Sequence, residues 1–443
     1  MENAGPTNHH RLIIVDPRQA THVAIEPTRG AALPSVDTDD RHTADVDHIN
    51  DAVLQRYGVR ATVRCSLFHG DARDGVVERV HVLESHGGAA LEWRLARALL
   101  TELVGDDRRA LELWLAANGV VDGREWTEAG WYAGACRWIE RSTRDGGLGV
   151  PVRIRQMRAW ASSCVLEVEC ETATAYFKAL PRSGRVEFAV TRWLSEAFPD
   201  VVPRLIACDA ERRWLLMQAC AGVPLEGVPD MTAWARAARR YGQLQVACAV
   251  RSEALQALGC RVRSLASLVP AMTSLAGDRE ALRVGEPDGV TEALLEQLRD
   301  SLPMLERRCV ELDGIGVPYT LEHGDLWPGN VFVALSDGAC AIIDWEDAAI
   351  AHPFLGLAPL TVGLGNAGLA TPDNVAALER AYAAPFESLG SAAQLHGALS
   401  RAAPLCFLDM AVRYRAQRGS MVALHPWMRD LVPYAVRLAL ARL

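Results

Sequence analysis

HGDLWPGN occupies residues 323–330, and CAIIDW follows at 340–345. The stretch crowds Asp325, Asn330 and Asp344 around a short turn and an apolar run. Trp327-Pro328-Gly329-Asn330 predicts a type II turn: proline pre-sets φ at the second position and glycine supplies the positive φ at the third. Such a turn brings Asn330 back toward Asp325. Beyond it, VFVAL predicts a strand and Ser336-Asp337-Gly338 a three-residue hairpin loop, with Gly338 left-handed. ACAIID is then the returning strand. A hairpin centred on Asp337 sets Asn330 opposite Asp344, so an amide oxygen and a carboxylate meet at its open end. Those oxygens suit a hard cation such as Mg²⁺, which keeps water and phosphate oxygens as its other ligands. A further carboxylate beside the ion suits a hydroxyl that must be oriented and deprotonated. This is a phosphoryl-transfer layout, with a catalytic Asp and a downstream Asn on one loop.

HGDLWPGN, with IIDWEDA at 342–348, resembles the aminoglycoside phosphotransferase family within the protein-kinase-like fold. The resemblance spans about 150–443. It implies Asp325 as catalytic base, Asn330 and Asp344 as Mg²⁺ ligands, and His323 as a brace for the loop. It also implies a strand lysine for the α/β-phosphates, supplied by Lys178 in AYFKAL, and a helix glutamate as its partner, Glu187 or, failing that, Glu196. WLLMQACAGVPL (214–225) resembles the inter-lobe linker, where the backbone at Gln218–Cys220 would meet adenine. A Gly-rich loop is absent, so phosphates are expected at backbone N–H groups or the hydroxyls of Ser162 and Ser163. Relatives tend to carry an Asp near HPF, where this chain has Gly356. The implied function is transfer of the γ-phosphate of ATP or GTP to a hydroxyl of an aminoglycoside, another antibiotic or a metabolite. The alternative is a pseudokinase-type nucleotide-binding module without catalysis. Asp409 and Asp430 are candidates for a pocket that takes a cationic acceptor.

The elements that must position these residues are legible in the pattern. CVLEVECETATAYFKAL predicts a strand pair, RVEFAVTRWLSEAFPD a helix, and RLIACDAERRWLLMQAC a second strand pair. Helices are expected at 231–257, 288–311, 373–388 and 391–443. The expected fold class is therefore α+β, bilobal and kinase-like: a small sheet-plus-helix N-lobe at 150–222 and a mostly helical C-lobe at 223–443. RDGGLGVP (144–151) predicts a linker. Before it lies a separate α/β domain, 1–145, whose removal should leave the rest folded. Its strands around DVDHINDAVLQRYGV resemble a Nudix fold. The glutamates of a working Nudix helix are missing, since Asp51-Ala52 and Gln55-Arg56 stand in their place. A binding or docking role is expected there.

A net charge of −9 argues against a general nucleic-acid binder and admits a small cationic substrate. Eleven cysteines without a CxxC pair suggest reduced thiols of a cytoplasmic protein. The first residues lack a signal-peptide pattern, and no apolar run has the length of a membrane span.

Overall fold

In the computed structural model, side chains along β1 (Thr7–Asp16) alternate between two cores, as the two-residue period of a strand requires. Leu12 and Ile14 enter one core, Ile13 and Val15 the other, and all four are buried. The structure describes residues 7–26, 31–39, 42–71, 73–88, 91–117, 124–182, 186–335, 338–424 and 426–443. Among them no helix is long and apolar enough to cross a membrane. The chain divides into two units, 1–184 with 206–218 and 420–426, and the remainder.

In the first unit, β1 pairs with β2 (Gln19–Ile25), with β3 (Ser35–Thr38) and, in parallel, with β5 (Val76–Ser85). Helix α1 (Asp47–Tyr57) precedes β4 (Ala61–His69), which pairs with β5. β6 (Glu92–Leu95) closes the other edge, followed by α2 (Ala96–Leu99) and α3 (Gly105–Ala116). Ile49 and Val53 of α1 cover one face; Leu111 and Trp114 of α3 cover the other. Helix α4 (Trp131–Asp145) leads into a second sheet: β7 (Pro151–Ala159), β8 (Cys164–Cys170), β9 (Thr174–Ala179), and, beyond α5 (Glu187–Ala197), β10 (Leu205–Asp209) and β11 (Trp214–Gln218). Its order is β10-β11-β9-β8-β7, so β9 is central.

The expected linker is not a break in the core. Leu148 is buried within it, and a Cβ on Gly146 would lie 2.5 Å from the Ile206 side chain. Trp131 and Trp138 of α4 pack edge-on or tilted against Phe177 and Trp214, with ring centroids 5.6–6.1 Å apart. The strand β7 is itself fastened to the first sheet. Buried Gln156 accepts from the Val63 N–H at 2.8 Å and donates to the Val63 carbonyl at 2.7 Å. Asp47 and Asp51, on the helix compared with a Nudix helix, both face the Arg155 guanidinium of β7 at 4.0 and 3.9 Å. One of the two cores of this segment, the one that holds Leu12, Ile14, Ile49 and Trp138, thus continues into the second sheet through Leu166, Phe177 and Trp214.

The second unit holds α5, then β12 (Val223–Pro224), α6 (Met231–Cys248), α7 (Ser252–Ala257), β13 (Val262–Arg263), α8 (Leu265–Gly277) and α9 (Glu292–Asp313). After these come β14 (Thr320–Glu322), β15 (Val331–Val333), β16 (Cys340–Ile342), β17 (Ala349–Ala351), α10 (Ala358–Asn366), α11 (Pro372–Ala383), α12 (Ala392–Leu424) and α13 (Leu431–Leu440). The expected helices are present, and α8 and α10 are additional. Two small sheets, β12-β15-β16 and β13-β17-β14, carry the HGD loop and the hairpin on a core that includes Trp234, Tyr241, Trp345 and Phe354.

Candidate active site

The HGD loop leaves β14 at Glu322 and is pinned by His323, which is fully buried. The backbone partners fix its tautomer. Nε2 lies 2.9 Å from the Ile343 carbonyl and must donate, while Nδ1 accepts the Asp325 N–H at 3.2 Å. Burial lowers the histidine pKa, which keeps this neutral form. His323 therefore ties Asp325 to the hairpin's returning strand.

The turn at 327–330 differs from the expected type II. Pro328–Asn330 form one 3-10 turn, with the Asn330 N–H on the Trp327 carbonyl at 2.9 Å. Gly329 does not take a positive φ. A Cβ there would lie 3.3 Å from a Glu226 carboxylate oxygen, an approach that the exposed glutamate side chain could relieve.

The hairpin register also differs by one residue. Val331 pairs with Ile342 and Val333 with Cys340, so Asn330 faces Ile343 rather than Asp344. The Ile343 N–H bonds to the Asn330 carbonyl at 3.0 Å. The ladder continues to Ala334, whose N–H bonds the Ala339 carbonyl at 2.9 Å. The expected centre, Asp337, lies outside the described residues. One step of register turns side chains to the opposite face. Asp344 itself takes a left-handed conformation at φ 68° as the chain leaves the ladder. Asn330 Nδ2 donates to the Asp325 carbonyl at 2.9 Å and approaches the Asp325 carboxylate at 3.4 Å. Its Oδ1 is thereby the end available to a cation. Carboxylate oxygens of Asp344, Glu346 and Glu187 lie within 4.8 Å of one another. Glu187 is buried at the start of α5, whereas Glu196 is exposed and pairs with Arg192 at 3.3 Å.

Around Asp325 the charges are dense. Burial, then Asp347 and Asp344, raise its pKa to about 7 against the opposing pull of Arg413 and Tyr414. The Tyr414 hydroxyl lies 3.5 Å from its carboxylate. Arg413 bonds the Gly324 carbonyl, Asp347 at 2.9 Å and Asp409 at 3.1 Å. Burial works against its charge, but Asp347 and Asp409 more than offset that and raise its pKa. Arg263 joins Asp409 at 3.0 Å to Glu322 at 2.8 Å. This chain of ion pairs runs beneath the loop. Gly324, at φ +85°, presses against Asp347: a Cβ would lie 2.5 Å from the Asp347 carbonyl. At Gly356, where the resemblance leads one to expect an Asp, a Cβ would lie 2.7 Å from Glu322 Oε1. The space is filled by Glu322 from the loop's own strand, so bracing charge enters from the other side. Sequence reading missed Glu322, Asp347, Arg263 and Arg413. The first two adjoin the motifs; the arginines carry no local signal.

Lys178, Ser162, Ser163 and Gln218 belong to the first unit; Glu187, Cys220, Asp325, Asn330 and Asp344 belong to the second. Lys178 lies on β9, paired with Leu215 and Val165. Its neighbours Phe177 and Ala179 face the core, so strand alternation puts Lys178 on the opposite face. Ser162 and Ser163 are buried. Burial raises the Cys220 thiol to about 11, so it is neutral near pH 7. Asp409 is held by Arg263 and Arg413, and Asp430 by Arg283. Neither offers the uncompensated charge expected of a cation pocket.

Among solved structures the chain is similar to a macrolide 2'-phosphotransferase from Brachybacterium faecium, with 18% identity over 68% of this chain and 98% of that one, TM-score 0.47. It is also similar to an ethanolamine kinase from Plasmodium vivax (12% identity, 77% and 93% covered, TM-score 0.46) and to a choline kinase from Cryptosporidium parvum (12%, 66% and 88%, TM-score 0.46). No curated protein matches the chain. Residues 173–404 match the phosphotransferase enzyme family, APH, over more than half of the sequence. The chain therefore belongs to the phosphotransferase enzyme family.

Proposed function

We propose that the protein transfers the γ-phosphate of ATP or GTP to a hydroxyl of a small molecule, with Asp325 as the base. The observation that supports this most is the Asp325–Asn330 pair. The asparagine amide N–H holds the loop carbonyl of Asp325 and leaves its oxygen for a cation. Asp325 is also the carboxylate whose pKa is raised to about 7, which suits it to accept a proton near neutrality. In the transfer, an acceptor oxygen bonds to the γ-phosphorus, and the bond from that phosphorus to the bridging oxygen breaks. The nucleoside diphosphate leaves, and the hydroxyl proton goes to Asp325.

The donor set fits Mg²⁺. Asn330 and Asp344 offer hard oxygens, and the nearby Glu346 and Glu187 carboxylates add negative charge. A bound ion there would neutralise charge on the phosphate oxygens. Lys178 would hold the α/β-phosphates. Glu187 is assigned to that lysine, although its carboxylate is grouped here with Asp344 and Glu346. The Gln218–Cys220 backbone would meet the base, with Ser162 and Ser163 near the phosphates.

The test is nucleoside diphosphate formation by the full chain with Mg²⁺ and ATP or GTP over a panel of hydroxyl compounds. A gain of one phosphate on an acceptor, seen by mass, is the expected result. Nucleotide binding with no turnover on any acceptor or water would instead establish a pseudokinase.

A further inference from the structure

Trp327 and Tyr414, which flank Asp325, also wall a cavity of about 280 Å³. Phe407 and Tyr434 add two further rings, and Met410 and Leu431 are among its aliphatic lining. Among the described residues no charged side chain lines it. The Tyr414 hydroxyl reaches Asp325 at 3.5 Å, and the Trp327 N–H bonds the Asp325 carbonyl at 2.8 Å. The cavity thus abuts the proposed base through two of its own walls.

An aromatic-lined cavity admits two kinds of guest, an apolar one or a cation held by ring faces. Two of the rings already have cations of the protein's own. The Arg442 guanidinium stands 4.9 Å from the Phe407 ring centre, and that of Arg413 stands 5.9 Å from Tyr414. A cationic guest would meet positive charge behind two walls. The nearby carboxylates give it no return, because Asp409 is shared between Arg263 and Arg413, and Asp347 also pairs with Arg413. Phe407 and Met410, at 0% and 2% exposure, make the cavity floor apolar.

We infer that this cavity takes the acceptor, and that the acceptor is a neutral alcohol with a largely apolar body, its hydroxyl directed to Asp325. The inference rests on the phosphotransfer reading above and names the substrate class for that site.

Menthol, a neutral cyclic alcohol, is the probe. Saturation-transfer NMR on the full chain reads binding without any chemistry, and mass detection with Mg²⁺ and ATP reads phosphorylation. Menthol is expected to bind, and to gain phosphate, in preference to choline or kanamycin at equal concentration. Tyr434→Asp, at a position 39% exposed and so tolerant of charge, should weaken menthol binding by about tenfold or more. Met410→Asp, on the floor, should do the same. Failure of menthol to bind overturns the inference, as does binding that Tyr434→Asp leaves unchanged. Preferred phosphorylation of choline or kanamycin overturns it while upholding the kinase reading. Menthol binding without phosphate transfer on any acceptor upholds the cavity's chemistry and overturns the kinase reading.

Discussion

Asp325 is held by three kinds of contact with different consequences when changed: a backbone bond to His323, a side-chain bond from Asn330, and electrostatic contact with Asp347 and Arg413. Asp325→Asn keeps the size of the side chain and the backbone bond but cannot take a proton. Turnover should fall about 10²–10⁴-fold, with nucleotide affinity nearly unchanged, as steady-state kinetics and calorimetry will show. The loss should lie toward the low end if the carboxylate mainly orients the hydroxyl, since phosphoryl transfer has a loose transition state. Wild-type turnover in this variant would remove Asp325 from the mechanism. Asp344 has a separate role. Its carboxylate lies within 4.8 Å of those of Glu346 and Glu187. Asp344→Ala should abolish the Mg²⁺-dependent part of nucleotide binding. Calorimetry with and without the ion decides it, and equal metal dependence in both proteins would refute the ligand assignment.

At the scale of elements, the HGD loop depends on α12 and β13 as much as on its own hairpin. Arg413 of α12 joins Asp347 to Asp409, and Arg263 of β13 joins Asp409 to Glu322. Removing one partner of a buried ion pair leaves the other charge uncompensated. Arg413→Met should therefore cost about 3–5 kcal/mol in denaturant unfolding. It should also loosen the loop, because the bond to the Gly324 carbonyl is lost. A stability loss below about 1 kcal/mol, the range of exposed pairs, would show that the network is superficial. In the first unit the comparable contact is α4 on the second sheet. Trp138 meets both Phe177 and Trp214. Trp138→Ala should cost about 3–5 kcal/mol, the range for a large buried aromatic.

For the molecule as a whole, the shared core argues against removing residues 1–145 without loss. Phe177, Trp214, Leu166 and Val168 face the same cluster as Ala135, Trp138 and Ile139 of α4. A chain starting at 150 would expose that face, and it should be aggregated or lack a cooperative melt. A soluble truncation with a sharp transition and intact nucleotide binding would contradict this. Stability should also fall with acid. His352 is fully buried, accepts the Phe354 N–H at 3.3 Å, and has its pKa lowered by burial to about 4. A histidine neutral in the fold but protonated when unfolded favours unfolding as pH falls. Its contribution is complete above the ordinary value near 6.5 and is lost toward pH 4, by roughly 3 kcal/mol at about 1.4 kcal/mol per pH step. His352→Asn, which keeps a capping side chain, should flatten that part of the stability–pH curve. An unchanged slope would assign the acid sensitivity to other groups.

What the sequence determined by itself is local. Spacing within HGDLWPGN and IIDW was enough to single out Asp325, Asn330 and Asp344 as candidates. Strand alternation was enough to put Lys178 opposite Phe177, because side-chain period and hydrogen-bonding type are properties of neighbouring residues. The family follows from the same stretch. Tertiary structure decided the rest. The hairpin register differs by one from the expected one, with Val331 opposite Ile342 and the ladder running on to the Ala334–Ala339 bond, and no count of loop residues encodes that choice. A flexible glycine-rich stretch and a buried one read alike until Leu148 and Ile206 are in place around it. The Arg263–Asp409–Arg413 chain brings together β13 and α12, and an ion pair between residues so far apart leaves no periodic trace in either segment. The acceptor cavity is of the same kind: Trp327 comes from the loop, Phe407 and Tyr414 from α12, and Tyr434 from α13. Only packing makes them one surface.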